Sequence, residues 1–276
     1  MPLCLANLKI VIRGAGEMAT GTACRIYNAG FRRLLMTEID QPLTVRRMVS
    51  FSEALHAGNW SVEGIEAARV QTLDQAQPLW QAGQIPVFVD PDGAFKTAFQ
   101  PDVVVDAILA KKNLGTSMGD APLVIALGPG FCAGKDAHCV IETNRGHDLG
   151  RLIMQGEASP DTGTPGNIGG YTTLRVLRSP ADGIFESAEH IGTLVEKGQQ
   201  IGQVAGEPVR AEISGVIRGL IRPGTLVTRR LKIGDIDPRG NPSYCNTISE
   251  KARAIGGSVL EAVLMRFNIS DHTVPA

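Results

Sequence analysis

The sequence lacks paired cysteine motifs, long apolar runs and an excess of either charge. Its cysteines are scattered and include no C-x-x-C, which argues against a disulfide framework or a closed zinc site. No stretch approaches the roughly 18 apolar residues that a membrane helix needs, and no signal-peptide pattern opens the chain. The 27 basic and 28 acidic residues leave no electrostatic footprint for a nucleic acid or an anionic membrane. We therefore expect a cytoplasmic protein without a nucleic-acid or membrane partner.

The first 40 residues carry the pattern of a strand, a helix and a second strand. An apolar run at 8–13 leads into a glycine-rich turn, and residues 17–29 then place apolar side chains at helical spacing. Gly30 follows where a helix usually ends, and a second apolar run covers 34–39. This unit is typical of the start of a nucleotide-binding α/β fold.

The turn before the helix fits a dinucleotide-binding fingerprint. Gly14, Gly16 and Ala19 occupy its three small-residue positions, with Ala15 between the glycines. The first glycine would make the tight turn, the second would let a pyrophosphate approach the backbone, and the helix amides would receive the phosphate. Glu38, at the end of the second strand, is placed to hold a ribose. We therefore predict that all five residues bind a dinucleotide-like ligand.

Two charged neighbours of this turn favour an alternative. Arg13 and Glu17 flank the glycines, and a carboxylate at position 17 would repel a phosphate. On this alternative the turn serves folding alone and binds no free NAD(P).

More strands are expected along the first half of the chain. Residues 85–89, 102–109 and 123–127 form short apolar runs that end in polar or glycine-rich segments, whereas 61–82 has a mostly helical pattern. Strands that alternate with helices favour a mostly parallel, Rossmann-like sheet.

A second glycine turn follows the run at 123–127. Gly128 and Gly130 come just past the end of that strand, which in a parallel sheet is the edge where α/β proteins bind ligands. They either contact the same ligand or form only a tight turn.

Residues 142–147 bring three chemically useful side chains together. Glu142, Arg145 and His147 offer a carboxylate, a guanidinium and an imidazole. A guanidinium suits phosphate or carboxylate recognition, and an imidazole suits acid–base chemistry or the capping of a helix. They are weak catalytic candidates, and a purely structural role at a helix entry is the alternative.

Asp136, His138 and Cys139 are three possible metal ligands within four residues. On a strand, Asp136 and His138 would share one face and Cys139 would point away. Because no second cluster completes a four-ligand set, we predict no metal site here. Cys132, next to the second glycine turn, suits either a buried inert thiol or a soft ligand.

An internal repeat with an offset of 32 residues runs through the second half of the chain. Residues 192–195 recur as 224–227, both reading Gly-Thr-Leu-Val, and 183–185 match 215–217. Short β-branched segments with glycine turns, repeated at this length, predict two interlocked half-motifs.

These halves resemble the biotinyl/lipoyl barrel-sandwich family. Residues 179–185 look like its opening strand and turn, and 195–202 look like its following step. Carrier members hold their prosthetic group on a lysine in the hairpin between the halves. Here that hairpin would be 204–210, which has no lysine, and Lys197 lies before it. The resemblance implies a small all-β domain that carries no biotin or lipoate.

Five motifs spread over the chain resemble a further family; they lie at 11–21, 126–131, 141–151, 162–171 and 232–239. Together they are similar to the YqeB-type accessory proteins of the selenium-dependent molybdenum hydroxylase system, which are grouped with XdhC/CoxI-like maturation factors. The resemblance implies a molybdopterin-type or dinucleotide ligand, and a molybdenum hydroxylase or one of its cofactor-loading proteins as the partner. The chain is not itself such a hydroxylase, because it lacks the cysteine clusters of an iron–sulfur enzyme.

The resulting prediction is an α/β protein with a Rossmann-like, mostly parallel sheet followed by a small barrel-sandwich domain. Its expected parts are a nucleotide-binding domain (1–155), a Gly/Pro-rich connecting loop (156–173), the barrel-sandwich (174–240) and a C-terminal helix with a tail (241–276). The expected function is that of an accessory protein that binds a pterin or dinucleotide form of the molybdenum cofactor. The alternatives are an NAD(P)-dependent oxidoreductase and a non-catalytic docking module, and a homo-oligomer is left open.

Overall fold

The computed structural model describes residues 5–268. Cys4 and the end of the expected C-terminal tail, 269–276, lie outside the described residues. Within 5–268, no helix combines the length and the apolar character that crossing a bilayer requires.

The helices and strands divide the chain into two halves. The helices are α1 (Glu17–Asn28), α2 (Ala54–Ala57), α3 (Ala76–Gln81), α4 (Phe95–Phe99) and α5 (Glu250–Phe267). The strands of the first half are β1 (Lys9–Arg13), β2 (Arg33–Glu38), β3 (Asn59–Val62), β4 (Ile65–Val70), β5 (Ile85–Val89), β6 (Val103–Asp106), β7 (Leu123–Leu127), β8 (Cys132–Ala133), β9 (Cys139–Ile141), β10 (Leu152–Ile153) and β11 (Gly156–Glu157). Those of the second half are β12 (Val176–Arg178), β13 (Gly183–Glu186), β14 (Leu194–Val195), β15 (Gln200–Val204), β16 (Glu207–Arg210), β17 (Gly215–Leu220), β18 (Leu226–Val227) and β19 (Lys232–Asp237).

A nine-stranded sheet runs through the first half in the order β10-β9-β7-β6-β1-β2-β5-β4-β3. Its inner pairs are parallel, and the pairs at its two edges are antiparallel. The expected strand, helix and strand at the start are confirmed as β1, α1 and β2, and the expected strands β5 and β7 are confirmed as well. Because β1, β2, β6 and β7 run in parallel, Arg13, Glu38, Asp106 and Leu127 end at one edge of the sheet.

The helical prediction for 61–82 was wrong over most of its length. Strands β3 and β4 form an antiparallel hairpin there, and only α3 is α-helical. Glu63 and Gly64 have φ values of 49° and 80°, as the two central residues of a type I′ turn require. Strand β4 begins with side chains that are buried and exposed in alternation, so its period is two residues and not 3.6.

The predicted fold class was also wrong. The first sheet is large and mixed, and apart from α1, which connects β1 to β2, the segments between its strands are a hairpin, loops and the short helices α2, α3 and α4 of four to six residues. They are not the regular crossover helices of a Rossmann-like sheet. In place of one small barrel-sandwich, the second half has two separate four-stranded antiparallel sheets, β12-β19-β17-β14 and β16-β15-β13-β18.

The two antiparallel sheets contain strands spaced by the 32 residues of the sequence repeat. Strands β12 to β15 correspond at that offset to β16 to β19, and the strand orders of the two sheets match when these equivalents are exchanged. Buried side chains from both sheets, among them Phe185, Ile217 and Ile233, form one core. The domain boundaries drawn from the sequence remain a prediction.

Helix α5 returns from the second half and packs closely on α1. A Cβ at Gly21 would lie 2.7 Å from the Ala252 Cβ, and one at Gly256 would lie 2.9 Å from the Gly21 carbonyl oxygen. Ser249 caps α5, since its Oγ accepts a hydrogen bond from the Ala252 amide. This close approach brings Lys251, in the first turn of α5, to the same cleft as the start of α1.

Candidate functional site

A cleft of about 1190 Å³ lies where the central strands of the large sheet end. Its walls are the first glycine turn, the loop after β6, the loop at 159–168, and side chains from β17, β19 and the start of α5. The basic residues that line it are Arg46, Lys111, Arg145, Arg175, Arg178, Arg218, Lys232 and Lys251, and the acidic ones are Glu17, Glu38, Asp161 and Asp235. The cleft is therefore basic, although the whole chain has nearly equal numbers of both charges.

The first glycine turn brings the backbone to the cleft wall without a side chain. Gly14 has a φ of 99°, which favours glycine, and a Cβ there would lie 3.0 Å from the Ala107 carbonyl oxygen. Gly16 is the N-cap of α1 and provides no side-chain capping bond. It has a φ of −71°, and a Cβ at Gly16 would have no neighbour closer than the Thr44 Oγ, at 4.0 Å. Gly16 therefore exposes the N-terminus of α1 to the cleft.

Glu38 supports this turn directly. Its carboxylate accepts hydrogen bonds from the amides of Ala15 and Ile39, both at 2.9 Å. Burial raises the pKa of Glu38 above its ordinary value, although both amides lower it. Ala19, the third fingerprint position, is fully buried and does not line the cleft. The structure thus brings Gly14, Gly16 and Glu38 to the cleft and directs the Ala15 amide to the carboxylate.

Arg13, which precedes the turn, is buried and bound to protein groups. Its guanidinium donates to Thr116 Oγ and to the Leu114 carbonyl, and it lies 3.4 Å from the Asp106 carboxylate. Asp106 in turn accepts from Thr116 Oγ at 2.6 Å and from the Ile108 amide at 3.2 Å. The network joins the end of β1 to the end of β6 and to the loop that follows.

Glu17, which follows the turn, has a cation beside it. The Arg46 guanidinium lies 3.4 Å from the Glu17 carboxylate. Arg46 also donates to the carbonyl oxygens of Tyr244 and Thr247, at 3.0 and 3.1 Å, so it is held in place by the segment before α5.

The second glycine turn packs against protein and does not face the cleft. A Cβ at Gly128 would lie 2.5 Å from Thr143 Oγ, and one at Gly130 would lie 2.6 Å from the Lys112 nitrogen. Pro129, between them, is the residue of this turn that lines the cleft. Close backbone packing and positive φ values explain both glycines.

The three candidates at 142–147 lie in different surroundings. Glu142 is buried and accepts hydrogen bonds from the amides of Asn144 and Ser159, both at 2.7 Å. Burial alone would raise the pKa of Glu142, but these amide bonds outweigh it and leave the pKa lowered. Arg145 lines the cleft and pairs with Glu250, whereas His147 is exposed outside it. Glu142 therefore anchors the loop that begins at Ser159 and lines the cleft.

The grouped His, Cys and Asp residues bond to nearby backbone. The Asp136 carboxylate accepts from the Cys132 amide at 2.8 Å, and His138 Nδ1 accepts from the Val124 amide at 2.9 Å. Burial raises the pKa of the Cys139 thiol to about 11. These contacts fix the short segment between β7 and β9.

A basic wall of the cleft could not be predicted from the sequence. It is formed by Arg46, Arg175, Arg218, Lys232 and Lys251. These residues come from five separate parts of the chain, and no local spacing links them. Of these five residues, only Lys232 lies in a segment that the sequence had singled out, the motif at 232–239.

The chain is similar to a known protein, but this similarity assigns it no activity. The chain is 49% identical over 256 residues to an uncharacterised protein, YqeB, of Escherichia coli, covering 93% of this chain and 47% of that protein. It thus spans about half the length of the curated relative that it matches. No protein-family model matches the chain.

The solved structures that resemble the chain are distant. One is a succinylglutamate desuccinylase/aspartoacylase from Rhodobacter sphaeroides, 16% identical, with 53% of this chain and 64% of that chain covered and a TM-score of 0.23. Another is an aspartoacylase family protein from Mesorhizobium loti, 13% identical, with 76% and 57% covered and a TM-score of 0.25. At these scores, no activity is transferred from them.

These findings correct the resemblance drawn from the sequence. The structures found are of desuccinylase and aspartoacylase proteins, and the curated relative has no described function. The assignment to XdhC/CoxI-like maturation factors of a molybdenum hydroxylase system was therefore wrong, and so was the accessory function inferred from it. None of these matches names an NAD(P)-dependent oxidoreductase or a docking module.

Proposed function

We propose that this chain binds a small phosphate-bearing compound in the cleft, with a phosphate group against the N-terminus of α1. The observation that carries the proposal is the lining of the cleft, where eight basic and four acidic side chains surround the Gly16 turn. A basic cavity of this kind concentrates and holds anionic ligands.

The start of α1 supplies suitable donors for a phosphate. The first-turn amides of a helix have no partner within the helix, and the helix dipole places partial positive charge there. Gly16 leaves these amides without a side-chain cap, and it lines the cleft. A phosphate that accepts from them would make charge-assisted hydrogen bonds.

Glu17 is compatible with an anion at this position because Arg46 offsets its charge. The two side chains lie 3.4 Å apart, and Arg46 is only 6% exposed. An ion pair that is shielded from water keeps its strength better than an exposed one. The local charge near the helix N-terminus is therefore close to neutral or positive.

Four apolar side chains of the cleft suit the organic part of such a compound. Ile39, Leu43, Ile108 and Leu114 line the cleft and are between 37% and 49% exposed. Partly exposed apolar side chains in an otherwise basic cleft favour a ligand with an uncharged, partly apolar portion. A cytoplasmic location, expected from the sequence, belongs to the same proposal.

ADP is a suitable probe of this function. The protein, freed of any retained compound and titrated with ADP at constant ionic strength, should show a saturable rise in its thermal unfolding midpoint. A ligand at 100 times its Kd stabilises the folded state by about 2.7 kcal/mol. Native mass spectrometry of freshly purified protein should, in parallel, detect a retained compound that contains phosphorus. No such compound, together with no stabilisation by ADP or inorganic pyrophosphate, would contradict the proposal.

A further inference from the structure

Arg218, on β17, is a buried cation without a full partner. It is 5% exposed, it lines the cleft, and its Nε has no hydrogen-bond partner in the part of the chain that the structure describes. The nearest carboxylate, Asp237, lies 3.7 Å from that Nε. Asp237 is already engaged, because Arg239 donates to both of its oxygens at 2.9 and 2.6 Å. A buried polar group without a partner destabilises the protein, so Arg218 is placed to gain from an anion.

Arg46 lies beside Arg218 and is also incompletely paired. It is 6% exposed, and its Nε has no partner among residues 5–268. Burial is the main cause that lowers the pKa of Arg46, Glu17 raises it, and the charge of Arg218 lowers it further. The two guanidinium groups are therefore close enough to repel each other.

Lys232 and Lys251 bring two ammonium groups to the same wall. Both are half-buried and line the cleft, and neither Nζ forms a hydrogen bond or an ion pair with a described residue. Burial is the main cause that lowers the pKa of each lysine, and Asp235 and Glu17 oppose this at Lys232. At Lys251 the charges of Arg145 and Lys232 lower the pKa further, and those of Glu17 and Glu142 raise it. Both lysines thus line the cleft without an ion pair to a described residue.

The carboxylates around this wall do not balance its cations. Five cations stand there, namely Arg46, Arg175, Arg218, Lys232 and Lys251. Glu17 pairs with Arg46, and Asp235 pairs with Arg175. Arg218 shares Asp237 with Arg239, and Lys232 and Lys251 form no ion pair with a described residue, so positive charge is in excess in a partly buried place where repulsion is only weakly screened.

We propose that Arg218, Lys232 and Lys251 form a second anion subsite, which binds an anionic group of the ligand other than the phosphate at Gly16. This inference rests on the proposed function for the ligand as a whole. It narrows the ligand to a compound with two anionic groups, each a phosphate or a carboxylate. Arg46 borders the subsite and pairs with Glu17.

Inorganic phosphate tests the subsite in the whole chain. Its apparent Kd is measured from thermal unfolding midpoints at constant ionic strength, with chloride as the balancing anion. Lys251→Gln and Arg218→Gln should each weaken phosphate binding about tenfold, the loss of roughly one charge-assisted hydrogen bond. Lys251 is half-buried in the first turn of α5, and we expect Lys251→Gln to fold. This variant therefore tests the subsite even if Arg218→Gln does not fold.

Two controls separate the subsite from the glycine turn. Lys197→Gln removes an exposed lysine outside the cleft and should change the phosphate Kd by less than about twofold, as expected for a distant and screened charge. Gly16→Ala alters the turn and leaves Arg218, Lys232 and Lys251 in place, so a weakening of ADP by this variant reports on the phosphate position at α1. Without phosphate, Lys251→Gln should unfold at a higher temperature than the wild type, because one repelling charge is gone.

The possible outcomes distinguish the anion subsite at Arg218, Lys232 and Lys251 from the phosphate position at the start of α1. Phosphate binding by Lys251→Gln and Arg218→Gln within twofold of the wild type overturns the subsite, whatever ADP does. Loss of phosphate binding in these variants, with ADP unaffected by Gly16→Ala, supports the subsite and counts against the phosphate position at α1. Malonate, titrated in the same way, shows whether the subsite also accepts a carboxylate. If the wild type binds neither phosphate nor malonate, the subsite is overturned.

Discussion

Replacement of Asp106 by alanine should lower the free energy of unfolding by about 3–5 kcal/mol, which is typical when one partner of a buried ion pair is removed. Asp106 is 1% exposed and Arg13 is 4% exposed. The variant keeps the Arg13 guanidinium in the interior with only Thr116 Oγ and the Leu114 carbonyl as acceptors. Denaturant unfolding with an unchanged m-value would measure the effect.

An exposed pair supplies the control for this prediction. Asp148 lies 3.3 Å from Arg151, with side chains 56% and 70% exposed. Asp148→Ala should change the free energy of unfolding by less than about 1 kcal/mol, as is usual for surface pairs. Joint replacement of Arg13 and Asp106 by apolar residues should cost less than Asp106→Ala alone. A loss below about 1 kcal/mol for Asp106→Ala would show that Arg13 finds another partner or reaches water.

The second large effect concerns Gly16 and ligand binding. Gly16→Ala should weaken ADP binding about tenfold, and Gly16→Val about 100-fold, which corresponds to about 2.8 kcal/mol. A Cβ at this position enters the space that a phosphate needs in order to reach the first-turn amides. Isothermal titration at fixed ionic strength would give the affinities.

Gly16→Ala is expected to fold normally. Its φ of −71° is open to any residue, and its nearest neighbour would be 4.0 Å from the new Cβ. The matched control is Gly257→Ala, in α5, where the new Cβ has open space and does not line the cleft. That variant should bind ADP as the wild type does and gain about 0.5–1 kcal/mol of helix stability. Equal ADP affinities in all four proteins would place the ligand away from the turn.

The start of the fold could be predicted because its signals are local. The apolar runs at 8–13 and 34–39, the glycines between them and the helical spacing of 17–29 each act within a few residues. The hairpin at 59–70 was missed because Glu63-Gly64 is a weaker turn signal than Asn-Gly, and its short apolar runs also fit a helix. A helix was therefore predicted where β3 and β4 lie, and this wrong prediction favoured a regular parallel sheet.

The candidate site residues also differ in whether a local motif reveals them. Gly14 and Gly16 were recognised from a compact motif, and both line the cleft. Glu38 also lines it, but its bond to the Ala15 amide could not be read from spacing. Arg218 and Lys251 were missed since they reach the cleft only through the folding of the second half and the return of α5 onto α1. A basic wall assembled from distant positions leaves no mark in net charge or in local pattern.

A phosphate site at the start of α1 can be tested directly by a backbone amide NMR titration of the full chain with inorganic pyrophosphate. We expect saturable shifts that are largest for the amides of Gly16, Glu17 and Met18, at the start of α1. The same titration of Gly16→Val should lose them, while Gly257→Ala should keep them. Saturable shifts confined to residues outside the cleft, or no saturable shift at these three amides, would contradict a phosphate site at this helix.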